Sequence, residues 1–225
     1  MKYIYVFDAY GTLFDVHSAV ARVKAEIGPH AEPMSELWRI KQLEYTWTRT
    51  LMGEYRDFRE LTAQALDYAA ARFGGMPAEL REKLLSAYER LDAYPDAAPT
   101  LRKLKEKGAQ TAILSNGTPD MLDSAVQSAG LGELIERVLS VDAVRRFKTG
   151  PETYALVDQA FDVPRTAISF QSSNRWDIAG AQKFGFRTVW INRAGHPDEY
   201  ADLPPSAVLR SLDGLLTLQI ARQLR

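Results

Sequence analysis

Cysteine is missing from all 225 residues, which excludes disulfides, thiolate metal sites and cysteine nucleophiles together. Histidine is scarce. His17, His30 and His196 have neither the spacing of metal ligands nor a triad partner, and read as surface or packing residues. Neither charge dominates: 28 basic residues against 29 acidic ones give no electrostatic reason to expect nucleic acid or an anionic membrane as partner. Long apolar runs are also absent. No stretch is long enough to span a bilayer, and the run before Asp8 is too short for a signal peptide, so the expectation is a cytoplasmic protein.

A hydrophobic content of 46% beside 25% charged residues is that of an ordinary globular chain. Tyr3 to Phe7 is a β-branched and aromatic run closed by Asp8-Ala9-Tyr10-Gly11-Thr12, the pattern of a buried strand emptying into a loop. From about His17 to Leu91 the apolar spacing becomes three and four. It predicts helices over Met34 to Met52, Phe58 to Phe73 and Pro77 to Tyr88, broken at Gly53, Gly74-Gly75 and Pro77. After Pro95, strand candidates at Thr111–Leu114, Arg137–Val141, Thr166–Phe170 and Thr188–Ile191 alternate with helical segments, which predicts a parallel α/β sheet. With no long linker, the helical block reads as an insertion into the sheet domain.

Open parallel sheets bind ligands beyond the carboxyl ends of their strands, so the loops after Phe7, Leu114 and Phe170 are where chemistry belongs. Asp8 leaves the first strand with Gly11 and Thr12 close behind. Leu114-Ser115-Asn116-Gly117 and Phe170-Gln171-Ser172-Ser173-Asn174 place hydroxyl and amide donors at two further strand ends. A carboxylate facing uncharged donors is a nucleophile facing an anion cradle. Taken one at a time these residues carry plainer readings. Asp8 alone reads as a cap, Lys148 as a solvated surface charge, and Arg39 as a helix-surface cation paired with a glutamate.

Four segments, in order, resemble the motifs of the haloacid dehalogenase superfamily and, within it, the L-2-haloacid dehalogenases. They are Asp8-Ala9-Tyr10-Gly11-Thr12-Leu13-Phe14, Ser115-Asn116-Gly117, Lys148 with Tyr154, and Ser172-Ser173-Asn174-Arg175-Trp176-Asp177; the insert adds Trp38-Arg39-Ile40-Lys41-Gln42-Leu43-Glu44-Tyr45. The resemblance implies a Rossmann-like core of residues 1–14 and 93–225, with an all-helical cap subdomain at 15–92. It implies hydrolysis of short L-2-haloalkanoates to D-2-hydroxy acids, with inversion, through an ester on Asp8 and without a cofactor or metal. Thr12, Ser115 and Ser172 are then expected to hold carboxylate oxygens. Lys148, Tyr154, Asn174 and Asp177 would orient Asp8 and activate water, Arg39 or Asn116 would accept halide, and Ala9, Tyr10, Leu43, Phe58 and Trp176 would line the pocket. A homodimer is the implied assembly.

Three departures bear on chemistry. Phosphatases of the superfamily carry a second aspartate two positions after the nucleophile, as general acid and Mg²⁺ aid; here Tyr10 stands there. The fourth motif keeps only Asp177 where those enzymes supply further metal-binding carboxylates, so a Mg²⁺-dependent phosphatase is the weaker alternative. The third motif reads Lys148-Thr149-Gly150-Pro151 where the family commonly has proline directly after the lysine, which leaves the local backbone open.

Overall fold

The computed structural model describes residues 3–218; the ends of the expected core segments, residues 1–2 and 219–225, lie outside the described residues. Strands β1 (Ile4–Phe7), β2 (Gln110–Ser115), β3 (Arg137–Ser140), β4 (Ile168–Ser172), β5 (Arg187–Ile191) and β6 (Ala207–Leu209) form one sheet in the order β3-β2-β1-β4-β5-β6. Every pairing is parallel. The expected α/β class is therefore observed. Parallel strands need their hydrogen bonds satisfied on both sides and both faces covered, which is why β1 is apolar throughout and fully buried.

Chain order reverses between β1 and β4, which lie side by side although the chain visits β2 and β3 between them. That reversal opens a crevice at their carboxyl ends, where open sheets of this kind receive ligands. Two strands run further than their sequence pattern suggests. Ser115 closes β2, and Gln171 and Ser172 belong to β4, because Gln171 pairs with Phe7 and its carbonyl accepts from the Asp8 amide at 2.9 Å. At the other end of the same candidate, Thr166 and Ala167 sit in a 3₁₀ turn (Arg165–Ala167), and Val141 likewise leaves β3 to begin one.

The insert is helical throughout: α1 (Ser18–Ala21), α2 (Lys24–Ile27), α3 (Ala31–Met52), α4 (Phe58–Arg72) and α5 (Ala78–Tyr88). Helix α3 stops where Gly53 adopts φ 72°, a conformation that favours glycine. Helix α4 restarts through a side-chain cap, Asp57 accepting from the Glu60 amide at 2.8 Å. The insert leaves and rejoins the core over one short ladder. Phe14 bridges Ala93 antiparallel, Asp15 donates to the Asp92 carbonyl at 2.8 Å, and Tyr94 donates to the Leu13 carbonyl at 2.9 Å. Helices α6 (Ala97–Glu106), α7 (Pro119–Ser128), α8 (Pro151–Ala160) and α9 (Arg175–Phe184) connect the strands of the sheet. Among the described residues no helix is long and apolar enough to cross a membrane.

Candidate active site

Three adjacent strand ends deliver the site. Asp8, from the end of β1, is nearly buried, and its two oxygens are treated differently. Oδ2 accepts from Thr12 Oγ1 at 3.1 Å, Ser172 Oγ at 3.2 Å and Asn174 Nδ2 at 2.7 Å. Oδ1 accepts from Lys148 Nζ at 3.0 Å. Proton directions are fixed by the backbone. The Ser173 amide donates to Thr12 Oγ1 at 2.8 Å and the Asn174 amide to Ser172 Oγ at 3.1 Å, so both hydroxyls have their own protons free for Asp8.

Lys148 is no surface charge; it is 1% exposed, with Nζ 3.0 Å from Asp8 and 2.8 Å from Asp177. Burial alone pulls an ammonium toward deprotonation, but the two carboxylates outweigh it and hold Lys148 above its ordinary range. Asp177, on α9, is fully buried and accepts from Tyr154 of α8 at 2.8 Å. Loss of water raises its carboxyl to about 6, Asp8 adding to the rise, while Lys148 and Tyr154 oppose it. The same burial, with Asp177 beside it, pushes the Tyr154 phenol well up, so it remains a donor. The Lys148–Thr149 peptide is cis, and the lysine reaches both carboxylates with threonine in the place of the commoner proline.

Ser115 and Asn116 stand at the end of β2. Ser115 Oγ accepts from the Gly117 amide at 3.2 Å; Asn116 Oδ1 accepts from the Lys148 amide at 3.1 Å, which turns its Nδ2 away from that loop. Gly117 is sterically required, since a Cβ there would lie 2.9 Å from Tyr10 Cε2.

The cap closes the crevice with rings and one cation. Tyr10 stacks near Phe58 at 5.4 Å and Tyr88 at 5.6 Å, and Tyr88 meets Trp38 at 5.1 Å. Ala9 is buried beneath and Leu43 half-buried on α3. Trp176 lies apart from that cluster, edge-on to Trp47 at 5.4 Å, beside a cleft of about 1000 Å³ that reaches Lys148 but not Asp8. Among the described residues Arg39 forms no glutamate pair: Nη1 donates to Gln42 at 2.8 Å and Nη2 to the Tyr10 carbonyl at 3.3 Å, directly above the nucleophile loop.

Trp38 and Gln42, which the sequence places in the cap segment without a role of their own, and Tyr88, which no motif marks, are all buried in the cap part of this cluster. Trp38 and Gln42 flank Arg39 at helical spacing, which was a usable signal; Tyr88 is brought in only by tertiary packing. Arg193 carries no sequence signal of its own. It donates to the Thr12 carbonyl at 3.0 Å while paired with Asp96 at 2.8 Å, bracing the loop that carries Asp8.

A family model described as haloacid dehalogenase-like hydrolase matches residues 4–185. The chain belongs to that family. It is 49% identical over 211 residues to (S)-2-haloacid dehalogenase 1 of Pseudomonas sp. (strain CBS-3), covering 93% of both chains. A crystal structure of a dehalogenase superposes with a TM-score of 0.95 at 47% identity over 96% of each chain. The L-2-haloacid dehalogenase from Xanthobacter autotrophicus, solved with chloropropionic acid covalently bound, superposes with a TM-score of 0.89 at 36% identity over 100% of both. The fold and family implied by the four motifs are thus observed, and this member of the haloacid dehalogenase-like hydrolases is an enzyme.

Proposed function

We propose that the enzyme hydrolyses short-chain L-2-haloalkanoic acids to D-2-hydroxy acids with inversion, through an ester on Asp8. The observation that carries this reading is the donor set around Asp8: neutral Thr12, Ser172 and Asn174 on one oxygen, one ammonium on the other, and Tyr10 where a phosphatase needs its acid. Oδ1, with a single donor, is the freer oxygen. It attacks C2 opposite the halogen; the C–O bond forms as the carbon–halogen bond breaks and halide leaves with the electron pair, inverting the carbon.

Arg39 and the Nδ2 of Asn116 receive the halide, and the Ser115 hydroxyl binds the substrate carboxylate. Tyr10, Leu43 and Phe58 enclose the alkyl group. Water then adds to the ester carbonyl of Asp8, giving a proton to Asp177 while Thr12, Ser172 and Asn174 steady the oxyanion developing on Oδ2. Collapse breaks the bond from the Asp8 carboxyl carbon to Oδ1; the departing alkoxide takes a proton from Lys148, which recovers one from the added hydroxyl, and the hydroxy acid leaves with one water oxygen remaining on Asp8. Tyr154 keeps Asp177 aimed.

Mg²⁺ fits this donor set poorly, because Lys148 Nζ lies between Asp8 and Asp177 at the place a bridging cation would take. No metal step is needed, since no phosphoryl charge develops. We read residues 1–14 and 93–225 as the core that does the chemistry and 15–92 as the cap that selects substrate. A homodimer in the cytoplasm is the proposed state: Trp47, Leu51 and Tyr200, exposed by 38%, 86% and 44%, offer an apolar face beside the cleft. Light scattering of wild type and Leu51→Glu reports on that face.

The deciding experiment incubates the enzyme with L- and D-2-chloropropionate in excess EDTA. Chloride and D-lactate from the L substrate alone are expected. Phosphate ester hydrolysis dependent on added Mg²⁺, with no halide release, would overturn the reading.

A further inference from the structure

Several arginines of the protein are neutralised by carboxylates, among them Arg22 by Asp92, Arg81 by Asp67, Arg165 by Asp158, Arg175 by Asp198 and Arg193, beside the nucleophile loop, by Asp96. Arg39 differs. Among the described residues it has no ion pair, and its two hydrogen bonds go to uncharged oxygens, Gln42 Oε1 at 2.8 Å and the Tyr10 carbonyl at 3.3 Å. A half-buried guanidinium held only by neutral acceptors keeps its whole charge and most of its five donors for an anion.

The acceptor on α3 is itself tightly specified. Gln42 is 1% exposed, three residues after Arg39 and therefore on the same helical face. Its Oε1 also accepts from the Tyr88 hydroxyl at 3.1 Å, and its Nε2 donates to Thr62 Oγ1 at 2.6 Å. Thr62 gives its own proton to the Phe58 carbonyl at 2.6 Å, so toward Gln42 it acts only as acceptor. The amide nitrogen must face Thr62, and the amide oxygen must face Arg39, which cannot accept. Both constraints select one orientation of the carboxamide, and that orientation ties the cation to α4 and α5 at once.

Resting on the dehalogenase reading, we propose that Gln42 is a positioning residue for halide release. Its carboxamide aims Arg39 at the departing halide, and its neutrality leaves the arginine's charge undiminished. A glutamate of the same shape would hold the guanidinium in place and cancel its field. A leucine would leave it unaimed, and misplacement of a catalytic group by about 1 Å costs about 100-fold in rate.

The test measures kcat, KM, inhibition by added bromide, melting temperature and the ¹⁵N–¹H resonances of the Arg39 guanidinium for wild type, Gln42→Leu and Gln42→Glu, each also in an Arg39→Ala background. Gln42→Leu is expected to lower kcat about 100-fold, weaken bromide inhibition and broaden the Arg39 resonances. Gln42→Glu should keep those resonances sharp and melt above the leucine variant, yet stay low in kcat and insensitive to bromide. In Arg39→Ala the leucine change should cost little further kcat while still lowering the melting temperature, because its rate effect runs through the missing guanidinium.

Wild-type kcat and bromide inhibition in Gln42→Glu would overturn the role of neutrality, and a full, multiplicative loss in Arg39→Ala would overturn the positioning role. Failure of the underlying reading is separate and appears in wild type as no halide released from L-2-chloropropionate. The guanidinium resonances then still decide the positioning: broadening in Gln42→Leu supports it, and unchanged signals overturn it.

Discussion

Core and cap use polar groups in opposite ways. On the core rim charges are buried against one another, Lys148 between Asp8 and Asp177 with Tyr154 behind, so each group is set by its neighbours' charge. In the cap Arg39, facing the nucleophile loop, is held by neutral oxygens amid rings. A mutually neutralising cluster suits a group that must attack and be regenerated unchanged. An unspent charge suits an anion that arrives and leaves. The division teaches that rate should break in the core, and selectivity and release in the cap.

The hardest break is Asp8→Asn. Loss of the nucleophile should reduce turnover by about 10⁴-fold or more with the fold intact, read as halide release against an unchanged circular dichroism spectrum. In the wild-type enzyme, single turnover in ¹⁸O water should label Asp8; label appearing only in the product would contradict an ester. Next is Lys148→Met, which leaves two buried carboxylates facing each other. Removing one partner of a buried charge set costs about 3–5 kcal/mol, so urea unfolding should shift by that order and turnover should be lost as well.

A milder lever is pH. Asp177 must be ionised to take water's proton, and its carboxyl stands at about 6. Turnover should therefore be flat above that value and fall about tenfold per unit below it, and Asp177→Asn should remove the inflection along with most activity. The sign for stability is opposite. A carboxyl raised in the fold binds its proton more tightly than in the unfolded chain, so its contribution favours folding below 3.8 and is lost as pH rises to about 6.

The smallest expected effect probes the seam between the regions. Tyr55 of the cap donates to Asp142 of the core at 2.6 Å and stacks on Phe147 at 5.1 Å, next to Lys148. Tyr55→Phe should cost about 1 kcal/mol in thermal unfolding and change KM more than kcat. A large fall in kcat would show that the cap also sets the geometry of Lys148, and would blur the division.

Much of this was legible because it is local. Five of the six strands and the three long cap helices follow from apolar spacing and from Gly53 and Asp57. The exception, Ala207–Leu209, is a three-residue edge strand after Pro204-Pro205, too short for a period to show. Asp8, Ser172 and Asn174 could be singled out as strand-end polar residues, but their convergence on one carboxylate depends on β4 lying beside β1, which no local pattern encodes. Lys148 taken alone reads as a solvated charge for the same reason, and only its motif marks it for the site: the two carboxylates that bury it are 140 and 29 residues away in the chain. Trp176 sat in the right motif, yet α9 turns it toward Trp47, away from Tyr10 and Phe58.

The ladder at Phe14 and Ala93 has an evolutionary corollary. Because the insert begins and ends within one hydrogen bond of itself, its removal or exchange would change only a short loop closure, whose entropy grows slowly with length. The nucleophile's strand and its partners would keep their register. A lineage can thus graft one lid after another onto an untouched reaction chamber, and a laboratory chimera joined at that same doorway inherits the freedom.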